Sequence, residues 1–178
     1  MIDTLDNTEV LASIGRLLAY PQADFHEIFE STRLEVNDVS PSAAEHFERF
    51  AEEARAISLD HAQELYTRAF DVNPVCMPYL SVHLFGQDSF KRAVLMTGLK
   101  AAYEAAHFDS GTELPDHIAL VLQSAPKLPA EDWIELHAYC LGKPLREMLA
   151  ALERSGSPWR HLVRAVSELL NLGEQDHA

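Results

Sequence analysis

Apolar residues recur along most of the chain at intervals of three and four, the spacing that gathers side chains on one face of an α-helix. Val10, Ile14, Leu17 and Leu18 form the first stripe. Asn7 or Thr8 can cap it, and it should stop before Pro21, since the residue preceding a proline is driven out of helical geometry. Phe25, Ile28 and Phe29 begin a second stripe, and Phe47, Phe50 and Ala54 continue the pattern. Ser58 can cap a helix whose Leu59, Ala62, Leu65, Tyr66, Ala69 and Phe70 share a face. Over 71–87 the pattern breaks, because Pro74 and Pro78 exclude a regular helix. Leu80, Val82 and Leu84 alternate with Ser81 and His83 as in a strand, but no second candidate strand exists to pair with them. The segment therefore reads as a loop with room for one helical turn.

Helix resumes at Asp88 or Ser89 and runs to about His107, followed by FDSGTEL (108–114), which has the composition of a connection. Then comes a run of nine residues, 118–126, without a charged side chain, introduced by Pro115, Asp116 and His117. Proline at the first helical position and Asp in the first turn make an ordinary start signal. A helix over 118–125 would be apolar on every side, as the centre of a bundle requires. Trp133, Leu136, His137 and Cys140 form the next stripe, which Gly142 and Pro144 should end while opening another. Leu145, Leu149 and Leu152 carry that helix to Ser155-Gly156, and Ser157-Pro158 starts the last, with Trp159, Leu162, Val163, Val166 and Leu170. The expectation is an all-α, single-domain bundle of about eight to ten helices with a polar tail at 173–178.

Composition narrows the functional classes. At 178 residues, 47% apolar and 24% charged, the chain suits one soluble core. No apolar run approaches the roughly 20 residues that span a bilayer, and MIDTLDNTE is acidic without a hydrophobic export region, so the protein is expected in the cytoplasm. Cys76 and Cys140 match no CxxC spacing and read as buried free thiols. The net charge is −14, most of it from residues 1–71, where five Arg and no Lys stand against fifteen acids. Nucleic acid and anionic membrane are poor partners for such a surface, and a basic peptide is a good one. Acidity that merely keeps the protein soluble explains the charge equally simply.

Catalytic signatures are sparse. GxSxG and a phosphate-cradling glycine loop are absent. Glu104 and His107 have the ExxH spacing that helical di-metal carboxylate proteins use, but the second ExxH, Glu174 to His177, lies in the polar tail. Surface-facing Glu104 and His107 are the simpler reading. ELYTRAFD (64–71) is more informative: Tyr66 and Phe70, one turn apart, make an aromatic ledge, and Glu64 can pair with Arg68. Asp71 sits against the negative end of its helix, which is unfavourable unless it caps the turn at 72–74 or accepts a cation from a partner.

ELYTRAFD, the loop NPVCMPYLSVHLFG, the long helix after it and LPDH at 114–117 together resemble the nitrate reductase delta-subunit chaperones, the NarJ branch of the NarJ/TorD/DmsD group of molybdoenzyme maturation proteins. LLAYP at 17–21 fits the same branch, and the resemblance covers the chain in order from about Leu11 to Leu170. It implies an all-helical chaperone, not an enzyme, that binds the N-terminal leader, or the apo form, of a molybdoenzyme catalytic subunit. Such a chaperone carries no cofactor of its own; the client holds molybdopterin guanine dinucleotide, and the chaperone delays export or membrane docking until it is inserted. The family's peptide-binding positions fall on Tyr66, Phe70 and Asp71, beside Glu64, and on Pro115, Asp116 and His117. Other branches place tryptophans where this chain has Tyr66 and Pro74.

A leader that binds as an amphipathic helix or a twin-arginine segment needs an apolar groove and acceptors for its basic residues. Tyr66 and Phe70 would supply the wall, and Asp71 and Asp116 the acceptors. His117 is expected to be neutral, either orienting Asp116 or a leader backbone group or satisfying a carbonyl of the connection. The connection 108–114, with Gly111, would be a hinge between two lobes. A homodimer is compatible with this reading. The alternatives are a helical di-metal carboxylate protein built on Glu104 and His107, or a helical scaffold without a groove.

Overall fold

The structure, a computed structural model, describes residue 5 and residues 7–54 and 57–172. The expected polar tail and the second ExxH motif lie outside these. Ten α-helices follow one another among the described residues: α1 (Thr8–Leu17), α2 (Phe25–Val39), α3 (Pro41–Ala54), α4 (Leu59–Tyr66), α5 (Leu80–Phe85), α6 (Phe90–Ala105), α7 (Ile118–Ser124), α8 (Ala130–Leu136), α9 (Gly142–Ser155) and α10 (Trp159–Leu169). Two π-helical turns, Thr67–Asp71 and His137–Leu141, extend α4 and join α8 to α9. The bundle is all-α, as expected, and none of its described helices is long and apolar enough to cross a membrane.

Two close helix pairs organise the core, α1 on α7 and α10 on α3. The first depends on Gly15, where an added Cβ would come within 2.9 Å of the Ala119 carbonyl oxygen and of the Leu122 Cβ. Only hydrogen fits between the two backbones there. The uncharged run expected at the bundle centre is buried, with Val121 and Leu122 fully enclosed. Trp159, also fully buried, joins the pairs: its ring packs against Phe50, Tyr66 and Phe70, and its indole N–H donates to the Leu17 carbonyl at 3.1 Å.

Several local signals act as expected. Ser58 accepts from the His61 N–H as an N-cap, and Gly156 closes α9 in the left-handed conformation, φ +67°. Asn7 occupies the cap position of α1 but its side chain donates instead to the Leu169 carbonyl at 3.0 Å, tying α1 to the end of α10.

Two expectations are corrected, and the helical turn allowed for within 71–87 is borne out. Gly142 and Pro144 do not divide two helices; the chain stays helical from Ala130 to Ser155, and the interruption takes the form of the π-turn. Pro144 has no N–H to offer the carbonyl four residues back and its ring crowds it, so the ladder widens over 137–141 rather than stopping. The alternating Leu80, Val82 and Leu84 lie on a short helix, α5, since no strand is there to pair with them. Cys140 is only partly buried, whereas Cys76 is enclosed, and burial pushes its thiol up to about 12.

Candidate functional site

The segment 64–71 divides into an outward and an inward half. Glu64 and Arg68 face solvent and form the expected i,i+4 pair at 2.5 Å. On the other side Tyr66 and Phe70 pack with tilted rings at 4.9 Å between centroids, both buried. The Tyr66 hydroxyl donates to the Leu18 carbonyl at 3.2 Å, and burial holds its phenol far above the ordinary tyrosine value. Phe70, one turn on from Tyr66, stays inward, while Asp71, the last residue of the π-turn, is exposed. Asn73, at φ 50°, then reverses the chain so that the Cys76 N–H reaches back to the Ala69 carbonyl at 3.0 Å.

LPDH serves a different structural end from the one expected. Helix α7 begins at Ile118, so Pro115 and Asp116 precede it and His117 is its N-cap. Two helix starts, those of α5 and α7, lie side by side and cap each other across an antiparallel bridge between Tyr79 and His117. The Ile118 N–H donates to the Pro78 carbonyl at 2.8 Å, and the Leu80 N–H to the Asp116 carbonyl at 2.9 Å. Asp116 Oδ2 accepts from both the Ser81 N–H at 3.1 Å and the Ser81 hydroxyl at 2.5 Å, so it caps a helix 35 residues away in sequence. Ser81 Oγ in turn accepts from Arg92 Nε at 2.9 Å, drawing α6 into the same chain of bonds.

Asp116 was expected to offer an open carboxylate; instead it is fully buried and turned toward α5, with Oδ1 lacking a partner. The N–H groups at the start of α5 have no capping side chain of their own, Tyr79 standing at the cap position, and Asp116 supplies what is missing. Pro115 is held by its carbonyl, which accepts from the Tyr103 hydroxyl at 2.8 Å.

His117 is oriented with little freedom. Its Nδ1 accepts from the Ala119 N–H at 3.1 Å, so the proton of the neutral ring sits on Nε2. Burial lowers its pKa below the ordinary histidine value, against the opposing pull of Glu113 and Asp116. Nε2 has no protein partner among the described residues, and His117 lines a cleft. Of the roles expected for it, orienting Asp116 and satisfying a connection carbonyl are not bonds it makes among the described residues, which leaves the orienting of a leader backbone group.

These pieces meet at a cleft of about 340 Å³. Tyr66, Phe70 and Asp71 line it together with His117 and Leu120. Glu64, Pro115 and Asp116 are not on its lining. Sequence reasoning did not single out Tyr20, Tyr79 and Glu113, which also line it. Tyr20 crosses Tyr66 edge-on at 5.5 Å, Tyr79 crosses His117 at 5.4 Å, and the Tyr79 hydroxyl donates to Glu113 at 3.2 Å. Burial and that carboxylate push the Tyr79 phenol up to about 12. Tyr20 and Tyr79 were visible inside LLAYP and the aromatic loop; Glu113 carried no signal of its own.

Aromatic walls, one N–H donor and two acids, Asp71 and Glu113, with no lysine or arginine on the lining, suit an apolar side chain accompanied by a cation. Glu104 and His107 are both exposed, His107 just beyond α6, and among the described residues no group of three or more His, Cys, Asp or Glu is placed to hold a metal.

Comparison with curated proteins gives no match. The family model for the nitrate reductase delta subunit matches residues 36–165, which include every residue of the cleft except Ala19 and Tyr20. The chain belongs to the nitrate reductase delta subunit family.

Proposed function

We propose that the cleft receives the N-terminal leader of a nitrate-reductase-like catalytic subunit. The family assignment supplies the coarser statement, a chaperone acting in nitrate reductase maturation rather than a catalyst. What supports the finer one is the convergence of Tyr66, Phe70, Asp71 and His117, distant in sequence, on a single aromatic and acidic cleft. An apolar leader residue enters between Tyr66, Phe70 and Leu120, and an adjacent arginine or lysine is met by Asp71 at the mouth with Glu113 opposite. His117 Nε2–H donates to a leader carbonyl. In this reading the protein works in the cytoplasm and holds the client until its molybdenum cofactor is inserted. The connection 108–114, which carries Glu113, is the hinge that opens and closes the cleft.

Calorimetric titration with leader peptides of the host's molybdenum enzymes tests this. A cognate leader binds, and both Asp71→Arg and replacement of the leader's basic residues weaken it about tenfold, with a loss that shrinks in high salt. Binding no tighter than that of a scrambled leader, or unaffected by Asp71→Arg, overturns it.

A further inference from the structure

A second surface, sharing no lining residue with the cleft, is built from side chains the fold leaves over. Helix α6 turns Leu99 and Tyr103 into the core but leaves Phe90 83% and Val94 58% exposed. Ala93, Thr97, Gly98, Ala101 and Ala105 are open beside them. Across from this face the π-turn 137–141 directs Tyr139 outward, 79% exposed. Such turns recur at functional positions because they re-aim a side chain without breaking the helix. Between α6 and α8 runs a groove of about 360 Å³, floored by Leu95, Leu99, Ala102, Leu136 and Cys140. A Cβ added at Gly98 would meet nothing within 4 Å, so this wall admits a closely approaching backbone.

The groove's other wall is acidic. Asp132 and Glu135 line it, with Glu131 exposed nearby, and none of the three has an ion-pair partner among the described residues. The helix dipole accounts for acids in the first turn of α8 but not for Glu135, which lies beyond that turn. A second copy of a chain carrying −14 is repelled from such a rim, and a cationic partner is drawn to it. From Val94 to Ala102 the groove follows α6 for about 12 Å, two to three helical turns.

We propose that this groove docks an amphipathic helix of a partner protein, with apolar residues at i, i+4 and i+7 on the floor and a lysine or arginine edge along Asp132 and Glu135. This is the helix-in-groove mode, with charge setting orientation and apolar contact setting residence.

The probe is a fluorescent peptide of about four turns made of leucine and lysine, leucines on one face, compared with a peptide of the same composition in scrambled order. The amphipathic form binds and the scrambled form does not. Both the Asp132→Lys/Glu135→Lys double variant and Gly98→Arg weaken binding at least about tenfold. All these positions are exposed, and circular dichroism melts verify that the variants fold. Equal binding of the scrambled peptide, or indifference to the groove variants, overturns the proposal. So does a concentration-dependent dimer that Gly98→Arg dissociates, which would assign the groove to a second copy. A leader that still binds the groove variants keeps the two surfaces separate.

Discussion

The cleft and the α6–α8 groove are close in volume, about 340 and 360 Å³, yet they are made of opposite material. Tyr66, Phe70 and His117 are buried, hydrogen-bonded or packed edge-on, and fastened to Trp159, Leu18 and Ala119. Phe90, Val94 and Tyr139 are largely exposed, and Asp132 and Glu135 beside them have no ion-pair partner among the described residues. The cleft is therefore an outgrowth of the core, shaped by the same bonds that hold α1, α4, α5 and α7 together. Substitutions there mix stability with binding. Substitutions at the groove separate the two.

The largest expected effect falls on the cleft's hidden support. Asp116→Ala removes the cap of α5, leaves the Ser81 N–H without its acceptor, and should cost about 3 kcal/mol in urea unfolding. A loss below about 1 kcal/mol would mean that the carboxyl is dispensable to the fold and would weaken the contrast drawn here.

A pair of glycines sharpens it. Gly15→Ala forces a methyl group against the α7 backbone and should destabilise by about 2 kcal/mol, with the cleft disturbed because α7 carries its Leu120 wall. Gly98→Ala, in open space on the groove, should stabilise by up to about 1 kcal/mol through helix propensity alone. Thermal or urea midpoints of the two variants should move in opposite directions.

A smaller effect depends on pH. Burial depresses the pKa of His117 in the folded protein, so on acidification through the ordinary value of 6.5 the unfolded chain takes up a proton that the folded chain still refuses. This contribution is complete above 6.5, declines as pH falls toward the folded-state pKa, and is lost below it. His117→Asn keeps a competent cap but has no titration, so wild-type stability should fall relative to this variant between pH 7 and the acid limit of folding. Parallel curves would show that His117 is not neutral by burial. Least affected should be Tyr139→Ser, within about 0.5 kcal/mol of wild type. A larger loss would make Tyr139 part of the fold and end its claim to be spare surface.

Much of the architecture was legible in the chain because it is local. Stripes at three- and four-residue spacing, Ser58, Gly156 and Pro158 mark helices and their ends by interactions that span at most a few residues. The two breaks were misread or only half read for the same reason. Pro144's missing N–H and its ring mark a disturbance of the helical ladder, but not whether it ends the helix or widens one turn of it. Whether 80–85 forms a helix depends on a cap supplied from residue 116. Among the candidate site residues, Tyr66, Phe70, Asp71 and His117 converge on one cleft, whereas Glu64 faces away, Pro115 and Asp116 lie behind it, and Glu113 could not be anticipated without the fold.

What the sequence alone determined is an acidic all-α chain of this family, since charge, periodicity and ordered motifs are properties of residues and near neighbours. The tertiary structure decided which of the two candidate aspartates meets solvent and which is buried: Asp71 ends the π-turn exposed at the cleft, and Asp116 is drawn in by an uncapped helix from elsewhere in the chain. The burial of Asp116 rests on unsatisfied backbone donors finding a partner across a long sequence separation, which no local pattern encodes.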